Sequence, residues 1–282
     1  MGGTYVLRKK LPVIPGTVGC GRVVKAGSGF RARFLLGRKV SCAAPYDGDG
    51  TWAEYMVASA ASCAPIRPGP DMERAANLLS NPLTAFGLFD TLREGDHHCF
   101  IQNAAAGDIA RMVDTMATRN GIGVINIVRR PQQIEFLNSI GADHMLDSSD
   151  GGFEEALRRL CEELKPSALI DSVGGAGAEL LGAGLAPGGE IVLCGKLSDE
   201  SALLSQGFLT EHRLRVREFR IMDWARSISI FKTLRTLFRV QTFARDDWKP
   251  GSMNKVLPEN VPGNVTELTR NSTKIRAFIR FY

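Results

Sequence analysis

The sequence lacks the features that mark membrane-spanning chains and disulfide-rich secreted chains. No window approaches the roughly 18 consecutive apolar residues that a membrane-spanning helix needs, and the N-terminal stretch MGGTYVLRKKLPVIPG has no apolar core of a signal peptide. The six cysteines include no C-x-x-C pair, and no group of Cys and His has the spacing of a zinc site. We therefore expect a metal-free protein with reduced thiols, located in the cytoplasm or in mitochondria, with no membrane partner.

The chain also lacks a strong charge bias. Its formal net charge is +5 at pH 7, and nine Lys or Arg residues lie between Arg213 and Arg245. A nucleic-acid surface is one interpretation of this region, but no platform of aromatic and basic residues accompanies the charge. We interpret it as a solvated face and do not expect a nucleic-acid partner.

Short apolar runs broken by glycine turns fill the first part of the chain. The runs GCGRVVKAGSG, LGRKVSCAAP and TWAEYMVAS are typical of short antiparallel strands in a barrel or sandwich, and not of helices. The later stretch NPLTAFGLFDTLREG has a helical apolar stripe instead. It predicts a helix with Asn81 at the N-cap and Pro82 in the first turn.

Strand and helix patterns then alternate, most clearly over residues 96–200. Predicted helices over 108–120, 131–140 and 153–165 separate short buried strands, and this alternation is typical of right-handed βαβ units. The sequence therefore predicts an α/β fold built on a doubly wound parallel sheet of the Rossmann type. Further on, the stretch DDWKPGSMNKVLPENVPG is predicted to be a loop and KIRAFIRF a closing strand.

The turn after the first of these strands, AAAGDIA, has one glycine where dinucleotide-binding turns usually have two or three. Gly107 occupies the position at which the backbone approaches a pyrophosphate, and Ala105 and Ala110 are small substitutes at the other two positions. Asp108 suits the helix dipole but repels a phosphate. This turn alone leaves two interpretations open, a dinucleotide site or a plain strand-to-helix corner.

The end of the second strand, INIVRRPQQ, has no acid that could bind a ribose 2′-hydroxyl. It has Arg129 and Arg130 instead, about 20 residues after Gly107, where this architecture meets the adenosine ribose. Paired guanidinium groups suit the additional phosphate of NADPH. The alternative is that the two arginines only solvate a loop, but their position and the missing acid favour NADPH as the cofactor.

Seven motifs, in order and at matching spacing, resemble those of medium-chain dehydrogenases/reductases, above all the zinc-independent quinone reductases and trans-2-enoyl thioester reductases. They are IPGTVGCGRVVKAGSG, GTWAEYMV, NPLTAFG, the turn described above, IGADHMLD, DSVGG and GGEIVLCG. The resemblance implies a GroES-like barrel over residues 1–78, a Rossmann domain over 79–241 and a return to the barrel over 242–282. It also implies a homodimer that transfers hydride from NADPH to a small-molecule substrate, an activated double bond or a quinone.

The resemblance assigns site residues as well. Tyr5 would act near the substrate, where a hydroxyl can protonate the enolate that hydride addition leaves; a tyrosine with no role is the alternative. Zinc-dependent members have Gly-His-Glu where this chain has Gly-Thr-Val, so no metal is expected. The residues implied for the cofactor are Asn81 and Thr84 near the nicotinamide, Gly107 at the pyrophosphate, Arg129 and Arg130 at the adenosine phosphate, and Gly174, Cys194 and Gly195 along its length.

Two departures from the family pattern lead to a second hypothesis. Barrel strands that precede the segment at Gly3 in the family have no counterpart, so the chain resembles an N-terminally shortened member. In LRVREFRIMDW, only Phe219 remains of a GFW-like strand that holds the nicotinamide in relatives. The alternative function is a catalytically impaired relative that keeps the nucleotide-binding domain and acts as a binding or interaction protein.

Overall fold

Three antiparallel strands, β1 (Val18–Arg22), β2 (Lys39–Ala43) and β3 (Cys63–Pro65), form a small sheet in the order β1-β2-β3. The structure is a computed structural model, and it describes residue 10, residues 12–68, 72–195 and 204–248, and the backbone of 252–256 and 275–279. Cys42 of β2 lies opposite Cys63 of β3. The predicted antiparallel strands of this region are therefore present.

Two stretches of this region differ from the prediction. Phe30–Leu35 forms a helix, α1, because a helical turn buries Leu35 (3% exposed) while Phe30 stays at the surface (89% exposed). The run TWAEYMV forms no strand, because the backbone at its start bonds to an earlier segment. There, the amide of Gly50 donates to the carbonyl of Ile14 at 2.8 Å.

Two helices follow, α2 (Met72–Asn77) and α3 (Asn81–Glu94). The carbonyl of Ser80 accepts the hydrogen bond of the Thr84 amide (2.9 Å), so Ser80 precedes the helix and Asn81 is its first residue, not its N-cap. Contacts divide the chain into two units, Met1–Thr84 with Ile230–Tyr282, and Ala85–Ser229. Helix α3 therefore begins in the first unit and continues in the second.

A six-stranded parallel sheet is the centre of the second unit. Its strands are β4 (Cys99–Gln102), β5 (Gly123–Val128), β6 (Met145–Asp147), β7 (Ala168–Asp171), β8 (Glu190–Leu193) and β9 (Arg215–Glu218). The order across the sheet is β6-β5-β4-β7-β8-β9. From β4 the chain adds β5 and β6 on one side, and it then returns to add β7, β8 and β9 on the other side of β4. Sheets whose strand order reverses in this way bind ligands at the carboxyl ends of the two strands beside the reversal, here β4 and β7. The predicted doubly wound sheet is confirmed.

Helices cover this sheet and bury its apolar side chains. They are α4 (Asp108–Thr118), α5 (Pro131–Ser139), α6 (Phe153–Leu164), α7 (Gly177–Ala183) and α8 (Gln206–Glu211). A further helix, α9 (Ile221–Ser227), follows β9. Ile101, Ile125, Leu169 and Ile191 are each fully buried in the core. The predicted helices end one or two residues earlier than expected; Lys165, for example, leaves the helix in the left-handed conformation (φ 48°).

The last described part of the chain belongs to the first unit. Helix α10 (Ile230–Asp246) is followed by two strands, β10 (Ser252–Val256) and β11 (Ile275–Ile279), which pair in parallel. The prediction of a loop through SMNKV was wrong, because this segment finds a partner strand 23 positions further along the chain. No helix in the described part of the chain combines the length and the apolar character needed to cross a membrane.

Candidate functional site

The turn between β4 and α4 is built from small buried residues. Ala105 is fully buried, and its amide donates to the carbonyl of Ile127 on the neighbouring strand (3.1 Å). Gly107 is the N-cap of α4, and no side chain caps the helix there. A Cβ at Gly107 would lie 3.1 Å from the Ala104 carbonyl oxygen, and Ala110 is buried one turn later. The turn therefore leaves the helix N-terminus open to an anion.

The charge of Asp108 is compensated next to the turn. Its carboxylate is buried and forms an ion pair with the guanidinium of Arg111, three residues later in the same helix. That guanidinium also lies over the ring of Phe136, 5.1 Å from its centroid. The Arg111 guanidinium therefore weakens the repulsion expected between Asp108 and a phosphate. The dinucleotide-binding motif does not include Arg111, although its spacing of three residues from Asp108 in a helix could have indicated the ion pair.

Buried amide side chains hold the first turn of α4 against the sheet. Gln102 donates from Nε2 to the carbonyl of Ala110 (3.1 Å) and to Asn126 Oδ1 (2.7 Å). Asn126 in turn donates to Asp114 Oδ1 (3.0 Å). Burial raises the pKa of Asp114, and the hydrogen bond from Asn126 partly opposes this. The network links β4, β5 and α4, so the position of the turn depends on side chains that no nucleotide motif includes.

Arg129 and Arg130 follow β5 directly and are exposed. The Arg129 amide donates to Gln133 Oε1 (3.1 Å), and Arg130 is the N-cap of α5. Within the described residues, neither guanidinium forms an ion pair. Both cations are therefore available to an anionic ligand at the carboxyl end of this strand.

Two polar side chains connect β4 and β7 where the strand order reverses. Asn103 donates from Nδ2 to Asp171 Oδ1 (2.5 Å), and its own Oδ1 accepts the amide of Ser172 (2.7 Å). Asp171 Oδ1 also accepts the amides of Val173 and Gly174, each at 2.9 Å. Gly174 and the next residue have φ values of 73° and 79°, a conformation that favours glycine. The carboxylate thus fixes the loop after β7.

The ends of β7 and β8 meet at Ser172 and Cys194. The Ser172 hydroxyl lies 3.2 Å from the Cys194 thiol, and the Cys194 amide donates to the carbonyl of Asp171 (2.9 Å). Burial raises the pKa of Cys194 to about 11, so this residue is a protonated thiol at neutral pH and not a nucleophile. A Cβ at Gly195 would lie 2.6 Å from the Ser172 carbonyl oxygen, so only glycine fits this close approach.

The edge strand β9 is anchored through Phe219. This side chain is buried, and its amide donates to the carbonyl of Leu193 (2.8 Å). A Cβ at Gly87 of α3 would meet the rings of Phe219 (2.7 Å) and Trp224 (3.1 Å). The phenylalanine that remains of the GFW-like motif therefore packs against α3.

The other expected site residues belong to the first unit or lie outside the described residues. Asn81 and Thr84 are in the first turn of α3, in the first unit. Tyr5 lies outside the described residues. No group of three or more His, Cys, Asp or Glu residues in the described ranges could hold a metal ion, and the position of the family's zinc motif has Thr17 and Val18, so the residues present do not fit a zinc site.

At least four of the nine basic residues between Arg213 and Arg245 form ion pairs. Arg217 binds Glu190 (3.0 Å), and further ion pairs join Arg220 to Glu218, Arg226 to Asp223 and Arg245 to Asp246. Pairing lowers the charge that this region offers to a polyanion, which supports its interpretation as a solvated face.

The parallel sheet, its reversal between β4 and β7 and the open turn at Gly107 define the Rossmann class of α/β proteins. Residues 109–238 match the family model described as zinc-binding dehydrogenase. The chain is 33% identical over 233 residues to a mitochondrial enoyl-[acyl-carrier-protein] reductase of Caenorhabditis elegans, a match that covers 79% of this chain and 65% of the relative. It belongs to the medium-chain dehydrogenase/reductase superfamily and spans less than two thirds of the length of this relative.

Solved structures agree with this assignment. A protein from Mesorhizobium loti assigned as an NADPH:quinone reductase superimposes with a TM-score of 0.85 at 27% identity, covering 94% of this chain and 77% of that one. Etr1p, a 2-enoyl thioester reductase of Candida tropicalis solved as a single-site mutant in complex with NADP and crotonyl-CoA, shares the fold with a TM-score of 0.73 at 16% identity, covering 92% of this chain and 78% of that one. A mitochondrial 2-enoyl thioester reductase of the same organism is also solved as a heterodimer.

Proposed function

We propose that this protein is a metal-independent oxidoreductase that uses NADPH to reduce an activated C=C bond, as in an enoyl thioester, or a quinone. The observation that carries the proposal is the placement of the open Gly107 turn and of Arg129 and Arg130 after the adjacent strands β4 and β5. The turn suits a pyrophosphate, and the two exposed arginines suit the 2′-phosphate that distinguishes NADPH from NADH. The names of the relatives, which include enoyl reductases and NADPH:quinone reductases, support the same reaction class.

In this proposal the chain binds and orients the cofactor, and bound NADPH supplies the hydride. The loop held by Asp171 and the close backbone approach at Gly195 are proposed to lie along the bound cofactor. Asn81 and Thr84 are proposed near the nicotinamide. Tyr5 is proposed to donate a proton to the enolate that hydride addition produces, a role that rests on the family resemblance.

The test measures NADPH oxidation with two acceptors, crotonyl-CoA and a small ortho-quinone. We expect turnover with at least one of them, and we expect Tyr5→Phe to lower kcat with crotonyl-CoA by about 10²–10⁴-fold without changing the Kd for NADPH. Tyr46→Phe is the matched control, because Tyr46 is exposed and lies outside the proposed site. Equal kcat values for wild type and Tyr5→Phe would exclude Tyr5 as the proton donor.

The second candidate function is nucleotide binding without turnover. The observation that favours it is the exposed ion pair between Glu218 and Arg220 (2.7 Å), which flanks Phe219 where relatives have the GFW-like motif. In this case NADPH fluorescence would show binding, while neither acceptor would oxidise the cofactor.

We also propose a homodimer. Strand β9 is the outer strand of the parallel sheet, all four of its residues are exposed, and a relative from Candida tropicalis is solved as a heterodimer. Light scattering on the purified protein should therefore give twice the mass of one chain. A single-chain mass at micromolar concentration would exclude this assembly.

A further inference from the structure

Two free cysteines face each other in the small antiparallel sheet of the first unit. Cys42 of β2 and Cys63 of β3 are direct partners in the ladder, and both belong to one buried cluster with Leu35 and Val40. Neither cysteine is among the residues proposed for the nucleotide site.

The hydrogen bonds of the ladder show which kind of pair this is. The Ile66 amide donates to the carbonyl of Lys39 (2.9 Å), so these opposite residues form a hydrogen-bonded pair. Bonded and non-bonded pairs alternate along an antiparallel ladder, which makes Cys42 and Cys63, three positions away, a non-bonded pair. On the other side of β2, the Ala44 amide donates to the carbonyl of Thr17. Backbone groups two positions apart in a strand point the same way, so the backbone N–H and C=O of Cys42 also point toward β1 and not toward β3.

A non-bonded antiparallel pair brings its side chains close enough for a disulfide. Its Cα atoms are about 4.5 Å apart, and disulfides span Cα separations of about 4.4–6.8 Å. Directly opposite residues also project from the same face of the sheet. The backbone therefore allows a bridge without a change of register, once the Cys42 thiol turns away from the Gly19 carbonyl oxygen (3.5 Å) and Met56 Sδ (4.0 Å), which it contacts in the structure.

The surroundings determine how readily these thiols react. Burial raises the pKa of Cys42 to about 11 and also raises the pKa of Cys63, so few thiolates exist at neutral pH. Strand β3 has only three residues and lies at the edge of the sheet, so it can open locally more easily than a central strand. Oxidation is therefore slow, and its rate depends on this opening.

We propose that Cys42 and Cys63 are an oxidative modification site that forms a cross-strand disulfide with a low-molecular-weight disulfide as the oxidant. One cysteine thiolate attacks a sulfur of the oxidant and releases the first small thiol; the second thiolate then attacks the mixed disulfide and releases the second. Two protein thiols and one small disulfide thus become one protein disulfide and two small thiols, which take up the two protons. The bridge would join the two ends of the segment between β2 and β3, which contains Gly50, the residue whose amide donates to the Ile14 carbonyl.

The test treats the natively folded protein with oxidised glutathione, blocks the remaining thiols and maps linked peptides by mass spectrometry without reduction. We expect the peptides of Cys42 and Cys63 to be linked, with the loss of two of the six free thiols. The thermal midpoint should rise by several degrees, because the bridge restricts the unfolded chain. Both effects should disappear in Cys63→Ala and persist in Cys20→Ala, since Cys20 lies opposite Ser41.

A second buried pair makes the experiment decisive even if Cys63→Ala fails to fold. Cys99 and Cys161 share a cluster in the second unit, and burial raises the pKa of each to about 11, but they lie on a strand and a helix, so no ladder fixes their separation. In wild-type protein we expect the link between Cys42 and Cys63 to form first. Separate glutathione adducts on Cys42 and Cys63, or earlier linking of Cys99 and Cys161, would overturn the proposal. The result does not depend on whether the protein binds NADPH.

Discussion

At Gly87 the absence of a side chain decides how α3 packs against the end of β9. The ring atoms of Phe219 and Trp224 occupy the space that a Cβ would need, at 2.7 and 3.1 Å. Trp224 of α9 also donates from Nε1 to Oδ2 of Asp90, which lies on α3 like Gly87 (3.3 Å), and this hydrogen bond limits how far the indole ring can move. One small residue thus sets the distance between two elements that are far apart in the sequence.

We therefore predict that Gly87→Ala destabilises the protein by about 1–3 kcal/mol, the usual cost of overpacking a buried contact. Urea denaturation followed by circular dichroism measures this change. Gly207→Ala is the matched control: Gly207 is also helical, and nothing lies within 4 Å of its Cβ position, so this variant should be neutral or slightly more stable. Equal stability of the two variants would contradict the packing argument.

Asp171 is the second residue at which a single group controls a larger feature. Asp171→Ala would leave the donors of Asn103, Val173 and Gly174 without their acceptor, and we expect a loss of about 2–4 kcal/mol in the free energy of unfolding. Asp171→Asn keeps one acceptor oxygen and should lose less. Urea denaturation measures the free energy of unfolding of both variants. Equal losses in Asp171→Ala and Asp171→Asn would contradict the role of Asp171 as a hydrogen-bond acceptor.

At the scale of elements, the amino ends of three neighbouring strands meet around His97. This buried histidine precedes β4 and hydrogen-bonds through Nδ1 to the hydroxyl of Ser167, just before β7 (2.8 Å). Its Nε2 lies 3.9 Å from Glu190, the first residue of β8, and Glu190 also binds Arg217 of β9. This end of the sheet is opposite to the proposed nucleotide site.

Burial lowers the pKa of His97 below 6.5; Glu190 and Asp96 raise it, and Arg215 and Arg217 lower it further. The unfolded chain therefore binds a proton at a higher pH than the folded chain does. The stability that neutral His97 contributes should be complete above pH 6.5, fall as the pH drops from there to the lowered folded pKa, and stay constant below it.

This pH dependence is measured by urea denaturation between neutral and mildly acidic pH. We expect His97→Gln to remove part of the slope below pH 6.5. Identical slopes in wild type and His97→Gln would show that other groups cause the acid sensitivity.

The elements show what the sequence can and cannot predict. The strands and helices of the βαβ region follow from strong local patterns, and α6 ends one residue from its predicted end. Helix α1 and strand β10 were missed because tertiary context decides them: α1 buries only Leu35, and β10 depends on a partner strand far along the chain. Short segments whose partners are distant in sequence have no local pattern that would identify them.

The same limit applies to the site at the scale of the whole molecule. Gly107, Arg129 and Arg130 could be identified because each stands at a fixed distance from a strand end. The bond between Asn103 and Asp171 joins residues 68 positions apart, and only the order of the strands brings them together. Sequence motifs thus locate the backbone that is proposed to face a cofactor, whereas the side chains that hold this backbone in place become visible only in the folded sheet.

Binding of the proposed cofactor should stabilise the whole chain, because a ligand that binds only the folded state shifts the unfolding equilibrium. At roughly 100 times its Kd, NADPH should add about 2.7 kcal/mol to the free energy of unfolding, which corresponds to a rise in the thermal midpoint of about 5–10 °C. NADH at the same concentration should raise the midpoint less, because it lacks the phosphate that Arg129 and Arg130 are proposed to bind.

The double variant Arg129→Ala with Arg130→Ala should therefore reduce the shift caused by NADPH to the level caused by NADH. The double variant Arg158→Ala with Arg159→Ala is the matched control. It also removes two positive charges from two consecutive, exposed arginines of the same unit, and these arginines bind Glu155 on the surface of α6. Thermal scanning with each nucleotide compares the variants. If the first double variant still prefers NADPH while both retain the wild-type fold, the phosphate lies elsewhere, and the site at the end of β5 has to be reassigned.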